Sequence, residues 1–365
     1  MRKPTAAKKR EPKTTSARAA SGAPNSVREP RKFRPPSSDE LPRGAGIQSF
    51  LRLPVHEDPE HIPAVDVLLC GVPFDGGSSF RPGARFGPRA VREASALARS
   101  FSAALGIDIY DELRVADGGD VALASQELGS ALSAITTRAE AITRSSAICG
   151  LVGGDQTLTL AGLRGIQRAK KKAFGMLHLA AQSNSLGSAK DAHLDHSNAL
   201  RHAVEEGLIR ADSTFQIGIR GPYVSSDDLA FARAHGFEVV TTDEVRSDLH
   251  AVLSQVRKLV RKGALYVSVD VGVLDPAHAP GTAFPLPGGL STWELQQILR
   301  ALVGAEIIGF DVVEIAPTYD PTGITALTGV AILHEILAAL ADTRRSGRPA
   351  PSSLRTGRRG RRLSP

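Results

Sequence analysis

The strongest constraint on the fold is a series of short apolar runs separated by segments with helical spacing. The runs occupy residues 65–71, 147–152, 215–219, 237–241, 264–270 and 307–314, with a further run that begins at residue 174. Continuous apolar runs of this length are typical of strands buried on both faces. Strands that alternate with helices predict an α/β fold in three layers, α/β/α, whose mainly parallel sheet is covered on both sides.

The charge distribution divides the chain into three parts. Residues 1–44 carry 12 Lys and Arg against 4 Asp and Glu, and residues 343–365 carry 8 Arg and no acid. The whole chain has a formal charge of +7, so the residues between these tails carry −9. Both tails are rich in Pro, Ser, Gly and Arg, which predicts disorder. We therefore predict disordered basic tails at 1–44 and 343–365 and one domain at 45–342.

Composition excludes several classes of protein. A chain of 365 residues that is 42% hydrophobic and 23% charged is typical of a soluble globular protein. No run approaches the roughly 18 apolar residues of a membrane span, and the N-terminus lacks the apolar block of a secretory signal. The two cysteines, Cys70 and Cys149, lie in apolar runs and are predicted to be buried thiols. We expect a cytoplasmic protein. The basic tails are interpreted as solvated extensions, and the alternative is that they bind nucleic acid or an acidic partner surface.

The segments that follow three of the strands have the composition of functional loops. The stretch 71–88 contains five glycines, Gly71 included, and three prolines, and 153–157 begins Gly-Gly-Asp. Residues 180–185 follow the strand that begins at residue 174. Open α/β sheets build their sites at the carboxyl ends of the strands, so we expect the site there.

Several stretches together resemble the ureohydrolase family, the arginase and agmatinase group, and most closely its agmatinase-like branch. They are GVPFDGGSSFRPGARFGP at 71–88, VGGDQTLTL at 152–160, HLAAQSNS at 178–185, RHAVEEGLI at 201–209, VSVDVGVLDPAHAPGTAFPLPGGL at 267–290 and GFDVVEIAPTYDPTGITAL at 309–327. The resemblance implies an arginase-like sheet of about eight strands. It also implies a pair of Mn²⁺ or Ni²⁺ ions that activates water for attack on a guanidinium carbon.

The same resemblance places this chain among degenerate members of the family. In the family, six His and Asp side chains hold the metal pair. The matching residues in this chain include a single Asp; they are Gln156, Ala180, Gln182, Asn184, Asp270 and Gly272. Hard divalent ions need anionic oxygen or imidazole ligands, so we predict that this chain binds no metal and has no catalytic residue. We expect the amides to be structural polar groups that bond one another.

Other family positions are retained or ambiguous. Glu314 matches the carboxylate that binds the guanidinium, or is a structural ion-pair partner, and His196 matches a loop histidine that contacts substrate. Residues 191–195 spell Asp-Ala-His-Leu-Asp, which imitates the metal motif, but no apolar strand precedes them, so we interpret them as a coincidence. His178 is predicted to pack within its strand, and Trp293 to pack on its helix face.

We therefore expect a non-catalytic subunit of a hetero-oligomer, by the family's precedent a hexamer. Its partner would be an active paralogue with an Mn or Ni pair that hydrolyses a guanidino or biguanide compound. The degenerate subunit of a metformin hydrolase is similar in kind. The alternatives are a metal-free protein that binds a guanidino compound or polyamine, and a ureohydrolase with a rebuilt metal site.

Overall fold

The structure is a computed structural model, which describes residues 33–58, 61–187, 193–223 and 226–347. In chain order its strands are β1 (Val67–Gly71), β2 (Phe101–Ser102), β3 (Ile107–Asp108), β4 (Val115–Asp120), β5 (Ile148–Val152), β6 (Phe174–Leu179), β7 (Ile209–Ile219), β8 (Glu238–Thr241), β9 (Leu265–Asp270) and β10 (Ile307–Val313). Its helices are α1 (Gly87–Ala94), α2 (Ile109–Glu112), α3 (Leu128–Arg144), α4 (Thr157–Lys170), α5 (Ala199–Glu205), α6 (Ala230–Ala234), α7 (Thr242–Ser247), α8 (Leu249–Val260), α9 (Thr292–Arg300) and α10 (Ile324–Arg345).

Eight of these strands form one sheet in the order β4-β1-β5-β10-β9-β6-β7-β8. All the paired neighbours in this sheet run parallel, while β2 and β3 form a separate antiparallel pair. The predicted α/β/α fold with a sheet of about eight strands is therefore confirmed. Parallel pairing brings the carboxyl ends of the strands to one edge of the sheet.

Two hydrophobic cores lie on opposite faces of the sheet. Along β1 the side chains alternate, because Val67 and Leu69 enter one core while Leu68 and Cys70 enter the other. The first core is covered by α1, α2 and α7–α10, and the second by α3–α6. Strands that must fill both cores need apolar side chains at successive positions, which explains the continuous apolar runs in the sequence.

The structure differs from the predicted secondary structure in three places. The segment before α3 contains a strand that the sequence did not predict, β4, whose residues Val115-Ala-Asp117-Gly-Gly-Asp have turn-like composition. It forms because it pairs along β1, and because Asp117 is buried and accepts bonds from Arg92 and from the backbone N–H of Phe50. The helix predicted at 244–262 is two helices, α7 and α8, and Asp248 caps the second. Strand β7 begins at Ile209, six residues before the predicted start.

The predicted tail boundaries lie partly inside the folded domain. Arg34 pairs with Asp108, and Arg43 donates to the carbonyl oxygen of Ala98, so residues 33–44 lie against the domain. At the other end α10 continues to Arg345, and Arg344 pairs with the buried carboxylate of Asp66. Contacts of these arginines with the acidic domain therefore hold parts of both predicted tails against it. The rest of both predicted tails lies outside the described residues.

Helix α10 is long and apolar enough to cross a membrane, with a hydropathy of 1.9 in its most apolar window. The prediction that no segment approaches this composition was therefore too strict. Within the domain 78% of that window is buried, and the helix packs against α1, α2 and α9. Its apolar surface is explained by its position in the first core. Among the described residues no other helix meets the same criteria.

Candidate functional site

The predicted site residues converge at the carboxyl ends of four neighbouring strands, β5, β10, β9 and β6. Gln156 follows β5, Glu314 follows β10, and Asp270 is the last residue of β9. Ala180 and the rest of the 180–184 segment follow β6. The sheet order places Glu314 between the other strand ends, because β10 lies between β5 and β9.

Gln156 is fully buried, and its side chain forms hydrogen bonds with two hydroxyl groups. Its Nε2 donates to Thr159 Oγ1 at 2.7 Å and to Ser268 Oγ at 3.1 Å. Its Oε1 is buried and accepts no hydrogen bond from the described part of the chain. The Nε2 group of the amide is therefore fixed by hydrogen bonds, and Oε1 is an acceptor without a donor among the described residues.

Asn184 shows the same division. Its Nδ2 donates to the carbonyl oxygen of His196 at 2.7 Å, and its Oδ1 is buried without a partner among the described residues. The residue has φ 49°, a left-handed conformation that Asn tolerates better than most side chains. Gln156 and Asn184 thus bond to hydroxyls and a carbonyl and not to each other. The prediction that the amides bond one another and are fully satisfied was wrong for these two.

The remaining ligand positions provide little chemistry. Ala180 is fully buried, Gln182 is half-buried, and Gly272 has no side chain. Asp270 Oδ1 accepts the backbone N–H of Gly272 at 2.6 Å, which caps the turn after β9. A Cβ on Gly272 would lie 2.9 Å from the same oxygen, so Asp270 occupies part of the space beside it.

This donor set does not fit a pair of divalent ions. One carboxylate and neutral amide oxygens replace a set of His and Asp ligands, and Mn²⁺ or Ni²⁺ requires charged or imidazole donors. Among the described residues no group of three or more His, Cys, Asp and Glu side chains could hold a metal ion. We derive no catalytic step through a metal in this chain.

Glu314 is the buried carboxylate nearest the centre of the site. It is 3% exposed; its Oε1 accepts the backbone N–H of Gln156 at 2.9 Å and lies 4.0 Å from His196 Nδ1. Its Oε2 is buried without a partner in the described residues. The backbone has φ 66°, which is strained for a glutamate and typical of positions fixed by function or by their surroundings. The structure thus brings together the two predicted substrate contacts, Glu314 and His196.

The carboxylates at this edge affect one another's ionisation. Burial, together with the nearby Asp270 and Asp155, raises the pKa of Glu314 well above its ordinary value. Burial raises the pKa of Asp270 to about 7 and that of Asp155 to about 6. Burial lowers the pKa of His196, so its ring is less readily protonated than an exposed histidine. The carboxyls at this edge therefore keep their protons more readily than exposed ones, and a bound cation would favour their ionised forms.

The loop 71–88 packs tightly against this edge. Asp75 accepts the backbone N–H groups of Gly83 at 2.7 Å and Arg85 at 3.2 Å, and it pairs with the Arg85 side chain. Asp155 accepts the N–H of Gly77 at 2.7 Å and that of Thr157 at 2.9 Å, which joins the loop to the start of α4. These carboxylates are structural acceptors with full sets of partners.

Two glycines allow this close approach. Gly153 and Gly154 follow β5 with φ 85° and 76°. A Cβ on Gly154 would lie 2.7 Å from the carbonyl oxygen of Phe74, and one on Gly153 would lie 2.9 Å from the Pro88 nitrogen. Any larger residue here would push the loop away from the strand end.

Sequence reasoning missed two groups of side chains. Asp311, inside β10, accepts the hydroxyl of Tyr266 at 2.7 Å and that of Ser268 at 2.6 Å, and Ser268 in turn accepts from Gln156. A lone carboxylate in an apolar run was the available signal. The other group comprises Ser79, whose Oγ lies 3.0 Å from His196 Nε2, and the rings of Phe80 and Phe284. No local pattern links loop 71–88 to loop 275–290.

Several minor predictions can also be compared with the structure. His178 is fully buried in β6 with Gln216 Nε2 3.1 Å from its Nδ1, as predicted. Cys70 and Cys149 are buried free thiols, also as predicted. Trp293 is 60% exposed, so the prediction that it packs on its helix face was wrong. Of the imitation motif, Asp191 and Ala192 lie outside the described residues, and Asp195 accepts the backbone N–H of Ser197.

Comparisons with known proteins agree with this architecture. The sequence profile of the arginase family matches residues 65–339. A guanidinopropionase of Pseudomonas aeruginosa is 41% identical over 312 residues, 85% of this chain and 96% of that protein. A guanidinobutyrase of the same species is 37% identical over 308 residues, 84% and 96% of the two chains. The solved proclavaminate amidino hydrolase of Streptomyces clavuligerus superimposes with a TM-score of 0.78 at 36% identity, covering 83% of this chain and 99% of that one. With its fold, its strand-end site and these relatives, the chain belongs to the arginase family.

Proposed function

We propose that this protein is a non-catalytic subunit of a ureohydrolase assembly that acts on a guanidino compound. The observation that carries the proposal is the contrast within the site. The fold, the glycine-rich loop and Glu314 are retained, while Gln156, Ala180 and Gly272 replace ligands on three different strand ends. Loss at several positions of one site removes the metal chemistry but leaves the surfaces of the domain intact.

The active partner is a paralogue that retains all six ligands and an Mn or Ni pair. The relatives named guanidinobutyrase and guanidinopropionase support a guanidino compound as the substrate of the complex. Biguanides such as metformin carry the same planar, delocalised cation and are included in this class. The two free, buried cysteines fit assembly in a reducing cytoplasm. By the precedent of the family we propose a hexamer.

Co-expression tests this proposal. We expect the chain to co-purify with a ureohydrolase of the same organism that has all six ligands, and the purified complex to hydrolyse guanidino compounds faster than either chain alone. A matched control replaces the ligand histidine of the partner's Gly-Gly-Asp-His motif, which should abolish activity but preserve the complex. Chains that never co-purify, or a mixture with no more activity than the partner alone, would contradict the proposal.

Gln156, Asn184 and Glu314 each have a buried acceptor without a partner among the described residues, which favours a second candidate function. They are suited to a cation rich in N–H donors, so the chain alone would be a metal-free protein that binds a guanidino compound or polyamine. Calorimetry of the isolated chain with agmatine, arginine and biguanides tests this candidate. Absence of both a binding heat and a thermal shift would count against it.

A rebuilt metal site is the remaining alternative from the sequence. Metal analysis of the purified protein distinguishes it from the other two functions. A content below about one ion per two chains would exclude it, since a functional site binds its metal stoichiometrically.

A further inference from the structure

A column of aromatic rings connects the surface to the buried carboxylate of the site. Phe80 is 55% exposed, and its ring centroid lies 5.5 Å from that of Phe284. The half-buried Phe284 ring stacks on His196 at 5.0 Å with an interplanar angle of 22°. His196 is 4% exposed, and its Nδ1 lies 4.0 Å from Glu314 Oε1. The rings therefore form a continuous series of contacts from the exposed Phe80 to Glu314.

The inner end of this path is suited to a cationic head group. Three buried oxygens lack partners within the described residues, namely Gln156 Oε1, Asn184 Oδ1 and Glu314 Oε2. They belong to linked residues, because Glu314 accepts from the backbone of Gln156 and Asn184 donates to His196. Buried acceptors without donors are costly, and a planar cation with several N–H groups would supply those donors.

The outer part of the path is suited to an apolar substituent. Exposed aromatic surface beside a site favours stacking with a flat or apolar group. A carboxylate tail would need a cation, and among the described loop residues Arg81, Arg85 and Arg220 already contact other groups. Arg85 pairs with Asp75, Arg220 donates to backbone carbonyls that include Gly272, and Arg81 lies over the Tyr319 ring at 4.0 Å.

From these observations we infer that the strand-end site of this chain binds guanidinium-type cations with an uncharged apolar or aromatic substituent. The column Phe80–Phe284–His196 receives the substituent and Glu314 receives the head. This inference rests on the second proposed function, a binding pocket without metal, and adds the class of ligand. It predicts selection against guanidino acids, whose tail is negatively charged.

Calorimetry on the full chain with three probes tests the inference. We expect phenylguanidinium to bind about tenfold more tightly than methylguanidinium, and 4-guanidinobutyrate to bind no more tightly than methylguanidinium. Replacement of Phe80 by Ala should reduce the phenyl preference to about threefold or less. Phe80 is exposed, so this variant should fold, and Phe284→Ala should show the same loss.

The control variant is Phe101→Ala, which removes a phenylalanine of similar exposure, 57%, in β2 and should keep the full preference. Glu314→Gln should weaken all three probes. Equal affinity for the phenyl and methyl probes, tighter binding of 4-guanidinobutyrate, or no binding of any probe would each overturn the inference. The subunit proposal is tested separately, by co-purification with a paralogue. The binding results with the three probes therefore neither support nor contradict it.

Discussion

The two sides of the site differ in how completely their polar atoms are satisfied. On the loop side, Asp75 and Asp155 accept backbone N–H groups from Gly83, Gly77 and Thr157. On the strand-end side, Gln156 and Asn184 each leave a buried carbonyl oxygen without a partner in the described residues. Both sides are polar and buried, and both derive from one family motif set.

The difference separates two kinds of constraint. Polar groups with complete sets of partners stabilise the fold, so they persist whether or not the site is active. If this chain is the non-catalytic subunit that we propose, the positions that bind metal in active members are free of that constraint, and their residues need only fit the space.

Restoring the ligand set should have the largest effect. The variant that combines Gln156→His, Ala180→Asp, Gln182→His, Asn184→Asp and Gly272→Asp should bind about two divalent ions per chain, because it recreates the charged donors around one strand-end site. Metal analysis after dialysis measures the change against the unmodified chain. If circular dichroism shows that the variant folds but it still binds no metal, the strand ends of this chain do not hold the six side chains in the geometry that a metal pair needs.

Removing a loop-side acceptor should strongly destabilise the fold. Asp75→Ala leaves the backbone N–H groups of Gly83 and Arg85 without their acceptor and should lower the free energy of unfolding by about 3 kcal/mol. The matched change on the strand-end side is Gln156→Met, which should cost about 1 kcal/mol or less. Urea unfolding measures both. Equal costs would abolish the proposed distinction between the two sides.

The buried carboxylate beneath Gln156 should make stability depend on pH. Burial raises the pKa of Asp311 to about 6 from an ordinary 3.8, so the folded chain binds the proton more tightly than the unfolded chain. Its contribution is therefore most favourable below pH 3.8 and is lost as the pH rises to about 6. The loss should be on the order of 2–3 kcal/mol.

Asp270 and Asp155 titrate in an overlapping range, so the comparison requires a variant. Asp311→Asn keeps an acceptor for Tyr266 and Ser268 but cannot ionise. Urea unfolding between pH 4 and 7 should show a shallower decline for this variant than for the unmodified chain. Parallel curves would mean that Asp311 does not ionise within this interval.

The smallest effect is expected outside both sides of the site. Trp293 is 60% exposed in the first turn of α9, so Trp293→Ala should change the free energy of unfolding by less than about 0.5 kcal/mol. Thermal unfolding measures this change. A larger loss would indicate that the indole contacts a neighbouring molecule, and dilution of the sample would then reduce the difference.

The strands that the sequence predicts well are those whose surroundings are apolar on both faces. Residues 65–71 and 264–270 require burial on two sides, and a parallel sheet provides it. Strand β4 escapes prediction because Asp117, Gly118 and Gly119 have the composition of a turn, and its pairing with β1 overrides that local preference. The same limitation applies to Trp293, whose exposure depends on the rotation of α9 and not on its local sequence.

The sequence alone determined the layered α/β fold, the position of the site at the strand ends and the residue types at the six positions that the resemblance assigns to metal ligands. These follow from apolar periodicity and from residue chemistry at matched positions, which are local properties. The tertiary structure alone decided which amide atoms remain without partners, how Asp311 supports Gln156, and that Phe80, Phe284 and His196 stack beside Glu314. Such contacts join loops from distant parts of the chain, and only the packing of the sheet and its helices fixes their distances.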